Sequence, residues 1–382
     1  MEQRSVMASI KAKKQKQAGA IVLACSFLVG FGIGTIASNT AVQGKILFTI
    51  AYSSEKEGWM EEIKPLFEQW LSMHYPNQPI KLNFFPVGSR ESIIAIINGQ
   101  YKPAIWSPAA STWIPMLNYY WQQQAGSGKP ITTHNATAVY TPIVIAMWES
   151  IKSGHNITSM QDVYALTAVN PSPIKLAHTD PRLSNSGFCT IIMEVAAAAG
   201  KNSSMLTLSD LTSQPVRAWV KQFESVAVQY GKSTGYLVQA MLQSGPSGIT
   251  TAFLYESLVM ESAAEARAQW GDSIVAIYPD EGCIHSDHPF CVLDKAPWMT
   301  PLLENISRSF TDDFLAERAV LELATRHGFR VYNNNITLPL ETFSIENGVR
   351  YDITGVPKMD VPGDPAFIAR VADFWLMNRP VF

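Results

Sequence analysis

Serine is the residue type with the most regular chemical placement in this chain. Ser53-Ser54-Glu55, Gly88-Ser89-Arg90, Ser107-Pro108-Ala109-Ala110-Ser111, residues 180–186 and Tyr255-Glu256 each follow a short apolar run. Three of these turns lead straight into a helical pattern. A helix N-terminus offers unpaired N–H groups and a partial positive charge, and a Ser hydroxyl adds a further donor. Several such turns aimed at one cleft would hold a dehydrated anion without a full cationic partner. Any one Ser alone reads as an ordinary helix cap. The recurrence at successive strand ends is what points to binding.

Other groupings are weaker. Cys283-x-His285-x-Asp287-His288-x-x-Cys291 gathers metal-ligand residue types within nine positions, as short tetrahedral sites do. Asp180 and Glu256 could face each other across a cleft, like the paired carboxylates of hydrolases. No HExxH occurs, and nothing fixes a reactive geometry. The expectation is a binding protein with no catalytic residue, no metal and no cofactor.

The elements that position these turns alternate. Strand patterns at 45–52 (KILFTIAY), 80–85 and 104–106 are separated by helical patterns at 59–71, 91–98 and 113–120. Pro65 should kink or restart the first helix. The order β-α-β-α-β-α implies a parallel sheet with right-handed crossovers. After a polar linker, 139–148 (VYTPIVIAMW) is a strand long enough to pass between two lobes. Strands at 174–178, 249–255 and 273–278, with helices at 183–200, 209–230, 234–244 and 256–270, make a second α/β unit. The 273–278 strand would return the chain to the first lobe. A short apolar segment at 289–293 and a helix at 311–327 follow. Ligands of open α/β sheets bind beyond the carboxyl ends of the strands, where the serine turns lie.

The chain has 382 residues, 47% hydrophobic and 16% charged, with a formal net charge of −3. That composition excludes a disordered chain. It also offers no basic surface for phosphates, so no nucleic-acid partner is expected. The charge is uneven: Arg4, Lys11, Lys13, Lys14 and Lys16 face only Glu2 in residues 1–17. Residues 18–38 (AGAIVLACSFLVGFGIGTIAS) carry no charge. At about 1.5 Å per residue they span roughly the ~30 Å hydrocarbon core. The basic flank places 1–17 in the cytoplasm. Residues 18–38 are then a transmembrane anchor or a cleaved signal, and the remainder lies outside. In that oxidising setting Cys283 and Cys291, nearest in sequence, are the expected disulfide pair, and Cys189 a buried thiol. Five Asn-x-Ser/Thr patterns, at Asn135, Asn156, Asn202, Asn305 and Asn335, fit an external chain.

Several longer motifs carry a family likeness: VGSRESIIAIINGQYKPAIWSPAAS (87–111), AHTDPRLSNSG (177–187), FLYES (253–257), SDHPF (286–290) and RHGF (326–329). Over about 45–339 the chain resembles the type 2 periplasmic solute-binding proteins, on the branch that includes molybdate-binding proteins. It is most similar to a subgroup often fused to a von Willebrand factor A domain, a domain expected to be absent here because the sequence stops at Phe382. The resemblance implies a two-lobed α/β fold with two interlobe crossing strands. Lobe 1 would comprise 45–140 and 275–337, lobe 2 would comprise 141–274, and 338–382 would be a tail with one helix. It implies hinge closure over a small ligand, an oxyanion first, a polar organic solute or sugar second, and an ABC transporter permease as partner. The alternative is a membrane-anchored sensor or adaptor. By position, the family's ligand contacts fall on Ser53 or Ser54, Ser89, Asn185 and Ser186, near Ser233 and Thr234, and on Tyr255. The third loop, Ser107 to Ser111, departs from the acidic residue of molybdate binders. SDHPF matches the family without the cysteines, which assigns that stretch a structural role.

Overall fold

The computed structural model describes residues 45–125 and 128–381. Residues 1–17 and 18–38, with the expected basic flank and anchor or signal, lie outside the described residues. Among the described residues, no helix is long and apolar enough to cross a membrane.

Two sheets organise the chain. The first runs in the order β2 (Ile80–Pro86), β1 (Ile46–Tyr52), β3 (Ile105–Ser107), β11 (Phe290–Val292), β4 (His134–Ala136). β1 pairs parallel with β2 and β3, and β11 is antiparallel to β3. Phe48, Ile50 and Ala51 of β1 are all fully buried, as a central parallel strand requires. The second sheet runs β13 (Lys358–Met359), β10 (Cys283–Ser286), β5 (Val139–Trp148), β8 (Thr251–Tyr255), β6 (Leu176–Thr179), β7 (Ala227–Gly231). β9 (Ile274–Ile277) and β12 (Arg330–Val331) also pair with β5. β5 is the long crossing strand: its far half pairs with β8 and β9, its near end with β10 and β12. The chain returns through β9 and β10 to β11 in the first sheet. This is a two-lobed α/β fold with two interlobe crossings.

Each lobe has an aromatic-rich core. In the first, helix Glu57–His74 buries Trp59, Ile63, Phe67 and Leu71 against the sheet. Phe67 meets Phe310 edge-on at 4.8 Å. The helix continues through Pro65 without interruption. A mid-helix proline costs about 3 kcal/mol, and the buried stripe on both sides of it outweighs that cost. In the second lobe Trp148, Phe188, Phe223 and Phe253 are buried around β5 and β8. The tail helix Pro365–Asn378 lays Phe367, Val371, Phe374 and Trp375 onto this lobe.

Three expectations change. The helix expected over 209–230 is two helices and a strand: Leu208–Thr212, Gln214–Glu224 and β7. Ser213 is extended and Pro215 restarts the helix in its first turn. The helix expected over 311–327 is Pro301–Asp312 plus Arg318–Arg326. Thr300 accepts from the Leu303 amide and Pro301 opens the first of these, ten residues earlier than periodicity suggested. Finally, Cys283 and Cys291 are free, as is Cys189. Cys283 lies in β10 of the second sheet and Cys291 in β11 of the first. The turn between them, with His288 at φ 43, carries the chain from one sheet to the other. The eight-residue separation in sequence therefore says nothing about their separation in space.

Candidate functional site

The first-lobe turns meet at the carboxyl ends of β1, β2 and β3. Ser53 opens the turn after β1, and its amide donates to the Ser107 carbonyl at 3.0 Å. The Ser53 hydroxyl donates to the Glu55 carboxylate. Glu55 Oε1 also lies 3.1 Å from His288 Nδ1 and 4.0 Å from Lys56 Nζ. Lys56 is wholly buried and donates to the carbonyls of Ser107 and Pro108, both at 3.0 Å. Burial pushes the Lys56 ammonium down to about 8, against the pull of Glu55. Burial acts to raise Glu55, but His288 and Lys56 prevail and hold it below the ordinary value. This ionic knot ties together the loops after β1 and β3 and the turn before β11.

Ser89 is the first residue of helix Ser89–Ile97. Its hydroxyl accepts from the Ala109 amide at 3.0 Å. The next two amides of the helix, Arg90 and Glu91, both donate to the Leu183 carbonyl of the second lobe, at 3.1 and 3.3 Å. The anion-seeking end of this helix is thus occupied by a peptide oxygen. Gly88 makes the approach possible, since a Cβ there would stand 2.9 Å from that oxygen.

On the second lobe, helix Asn185–Ala199 starts at the end of β6. Asn185 is buried and bridges the lobes. Its Oδ1 accepts from Trp113 Nε1 at 2.7 Å, and its Nδ2 donates to Tyr255 Oη and Ser286 Oγ, both at 3.0 Å. The Ser186 hydroxyl bonds Thr179 Oγ1 at 2.7 Å and Thr234 Oγ1 at 2.6 Å. A Cβ on Gly187 would lie 1.8 Å from the Thr179 carbonyl oxygen, so only glycine lets this helix start against β6. Ser233 precedes helix Thr234–Ser244 and is half-buried.

The structure therefore sorts the serine-turn residues into groups. Ser53 belongs to the ionic knot. Asn185 and Tyr255 form an interlobe cluster with Trp113 and Ser286, and Ser186 and Thr234 form a cluster within the second lobe. The Ser107 hydroxyl is buried with no protein partner. Ser111 stands apart, exposed, its amide donating to Asp287 Oδ1 at 2.7 Å. Ser54 and Ser233 line open space. Asp180 and Glu256 do not form a pair: Asp180 is bound by Arg182 at 2.5 Å and Glu256 by Arg330 at 2.8 Å.

That open space is two adjoining hollows between the lobes, of about 220 and 380 Å³. Ser54, Glu57, Gly235 and Gln239 border both, and Ser54 packs against Gly235 where the hollows meet. Glu57, Glu91, Glu261 and Glu265 stand on the walls against one base, Lys232. Burial first, then the charges of Glu61 and Glu261, push the Glu57 carboxyl up. Tyr101 and Tyr236 add aromatic surface. A larger groove of about 590 Å³ runs beside Lys152, Arg267 and Arg350, under the tail at the edge of β9. It borders none of the serine turns. Sequence reasoning missed Lys56 and the wall glutamates, and it gave His288 a structural role without its partner Glu55. They sit on helix flanks and in a turn, where no spacing rule applies.

The profile of the bacterial extracellular solute-binding proteins matches residues 48–330, from within β1 to the start of β12. The chain belongs to that family. Solved structures agree on the fold. A periplasmic thiamin binding protein superposes with a TM-score of 0.59 at 11% identity, covering 91% of this chain and 100% of that one. The periplasmic binding protein AfuA from Actinobacillus pleuropneumoniae, solved with fructose-6-phosphate bound, gives 0.57 at 16% identity, covering 88% and 99%. The sulfate-binding protein SubI from Mycobacterium tuberculosis H37Rv gives 0.54 at 14% identity, covering 76% and 88%. At these identities the likeness is one of fold. No curated protein matches the chain in sequence. The family places this solute-binding protein outside the cytoplasm. The match does not single out the molybdate branch or the von Willebrand subgroup.

Proposed function

We propose that this solute-binding protein closes its two lobes over a small, positively charged organic solute and delivers it to an ABC transporter permease. In this reading residues 18–38 hold it at the membrane or are removed on export. The observation that carries the charge assignment is the wall composition of the interlobe hollows. Glu55, Glu57, Glu91, Glu261 and Glu265 line them against one lysine, Lys232. Glu55 is held in the ionic knot and Glu261 by His327. The Glu57 carboxyl is raised by burial first and then by Glu61 and Glu261. An amine between these carboxylates would relieve their mutual repulsion and make charge-assisted hydrogen bonds. Tyr101 and Tyr236 would supply ring faces for a cation. Ser54, Ser233 and Gln239 supply neutral partners on the same walls. The remaining serine-turn residues hold the loops and the two lobes in register. The paired states of Asp180 and Glu256 support a receptor rather than an enzyme. Among the solved relatives, the thiamin binding protein is named for an organic cation.

An oxyanion is the second reading. It is favoured by the unpartnered Ser107 hydroxyl and by the helix starts at Ser89 and Asn185, where an anion could replace the Leu183 carbonyl. Thermal-shift titration of the full-length chain separates the two, because a ligand that binds the native state must raise the midpoint. Putrescine, spermidine and thiamin form one panel. Sulfate, molybdate and phosphate form the other, with glucose as a neutral control. A shift with an amine, lost in Glu57→Gln, supports the first reading. A shift with an oxyanion alone refutes it and supports the second. The absence of a shift with every one of them counts against both readings of the ligand.

A further inference from the structure

Beneath the tail helix, far in sequence from the turns described above, three groups meet with no solvent contact. His178 ends β6 one residue early, Glu194 lies inside helix Asn185–Ala199, and Glu224 closes helix Gln214–Glu224. All three are 0% exposed. One ligand-type atom from each lies within 4.8 Å of the other two. Trp375 of the tail helix and Tyr230 of β7 roof the cluster, their rings 6.0 and 4.9 Å from that of His178.

The hydrogen bonds fix the chemistry. His178 Nδ1 lies 2.7 Å from the Thr179 carbonyl oxygen. A carbonyl only accepts, so Nδ1 carries the hydrogen. Nε2 then faces Glu224 Oε1 at 2.8 Å. A proton on Nε2 or a metal ion must stand between these two atoms at that distance. Glu224 Oε2 meanwhile accepts from the Tyr230 hydroxyl at 2.5 Å. Glu194 is the anomaly: it is wholly buried, and among the described residues its carboxylate oxygens find no donor group, only the Glu224 carboxylate, an acceptor unless the two share a proton. Buried polar atoms are almost always satisfied, so this pair of oxygens calls for a missing partner.

We propose that His178, Glu194 and Glu224 form a binding site for a divalent transition-metal ion, Zn²⁺ first, that locks the second lobe together. The ion is bound through His178 Nε2, one Glu224 oxygen and both Glu194 oxygens. Imidazole with carboxylates suits zinc, and four donors complete its usual number. Two carboxylates and a neutral imidazole carry a charge of −2, which a divalent ion cancels. The surrounding bonds are those that metal-binding groups need. A carbonyl orients the imidazole and a hydroxyl orients a carboxylate, and such outer partners typically tune affinity by ~10–100-fold. Loading requires His178 and Glu224 to part to roughly 3.3 Å, the spacing of two donors on one tetrahedral zinc, and Glu194, now within 4.8 Å of both, to reach the same spacing. Four elements converge here: β6, two helices and, through Tyr230, β7. The ion would therefore be structural, and it is independent of what the interlobe hollows bind.

The test uses the full-length chain, unfolded and refolded with one equivalent of Zn²⁺ or with a chelator, then desalted. The proposal expects about one equivalent retained and a higher melting midpoint for the zinc-refolded sample. Glu194→Gln keeps the shape and removes a ligand, so it should fold but retain no zinc. Tyr230→Phe should weaken retention by ~10–100-fold. Less than a tenth of an equivalent, with identical midpoints in both samples, overturns the proposal. His327, 3.1 Å from Glu62 and 3.3 Å from Glu261 nearer the surface, is the competing site. Retention lost in His327→Ala but kept in Glu194→Gln also overturns it.

Discussion

Replacing Gly88 by Ala should open the lobes without harming either one. Gly88 has φ −60 and ψ 142, a conformation any residue adopts, so only space decides the outcome. The added Cβ would stand 2.9 Å from the Leu183 carbonyl oxygen, below any ordinary contact. That oxygen is a backbone atom and cannot rotate away. It also accepts the two interlobe bonds from the Arg90 and Glu91 amides. Pushing it back by about half an ångström lengthens both bonds past useful range. Each contributes about 0.5–1.5 kcal/mol net. Losing both shifts the balance of open and closed forms by roughly 1–3 kcal/mol, or about 5- to 150-fold. Ligand affinity falls by the same factor if capture needs the closed form. Small-angle scattering of the ligand-free chain should show a larger radius of gyration, and calorimetric titration a weaker Kd. The melting midpoint should change little. Unchanged radius and unchanged affinity would refute the idea that the Leu183 carbonyl clasps the lobes.

Three other outcomes follow from the site. Lys56→Met should cost about 3–5 kcal/mol in denaturant unfolding, the usual result of removing one partner of a buried pair, and Glu55→Gln added to it should recover part of the loss. Acid should destabilise the protein in two stages. His288 is held below 6.5 by burial and by Lys56, and His285 is pushed down to about 4 by burial. Both bind protons more readily when unfolded, so stability falls as pH drops below about 6.5. Glu55 is held below its ordinary 4.5, so its contribution is present above that value and is lost as pH falls through its folded pKa. A flat stability profile from pH 7 to 3 would contradict this, and Glu55→Gln should remove the lower stage. Last, Ser89→Ala with Ser186→Ala separates ligand contact from scaffolding. Scaffolding predicts a loss of about 1–3 kcal/mol, because Thr179 and Thr234 lose their shared hydroxyl, with ligand affinity kept in whatever fraction remains folded. Lost affinity with unchanged stability would return these serines to the ligand.

The alternation of β1, β2 and β3 with intervening helices was readable because each strand is a short apolar run buried on both faces. The 139–148 strand was readable to the residue for the same reason. Trp59, Ile63 and Phe67 marked their helix by period, and Pro65 misled only because a local rule cannot weigh a tertiary interface. The failures at 209–230 and 311–327 share a cause. Pro215 and Pro301 mark helix starts as first-turn residues, and the expected helices took no account of them: one ran through Pro215 and the other began ten residues after Pro301. The serine turns were legible as positions, because strand-to-helix turns recur at one end of each sheet. Their partners were not. Nothing in the sequence says that the amides of Arg90 and Glu91 meet the Leu183 carbonyl, or that Trp113 reaches Asn185. Those contacts join segments some seventy to ninety residues apart. The cluster of His178, Glu194 and Glu224 was invisible for the same reason, since its members come from one strand and two different helices.

The division of labour at the interlobe face explains why a shared fold serves unlike ligands. The turns at the strand ends carry the groups that any anion would want, and here those groups are largely spent. Ser89 binds Ala109, Ser186 binds two threonines, Asn185 binds Trp113, and Leu183 caps a helix. The Asn185 and Leu183 bonds fix how the lobes meet, and the Ser89 and Ser186 bonds fix the turns within each lobe. The hollows on either side of the Ser54–Gly235 contact are bounded instead by residues on helix flanks: Glu57, Glu91, Glu261 and Glu265. Substituting one of these disturbs no buried loop, so ligand charge can change while closure is kept. On this argument, specificity in this protein should move with the wall carboxylates. The serine turns, the more conspicuous feature of the sequence, should govern stability and closure first.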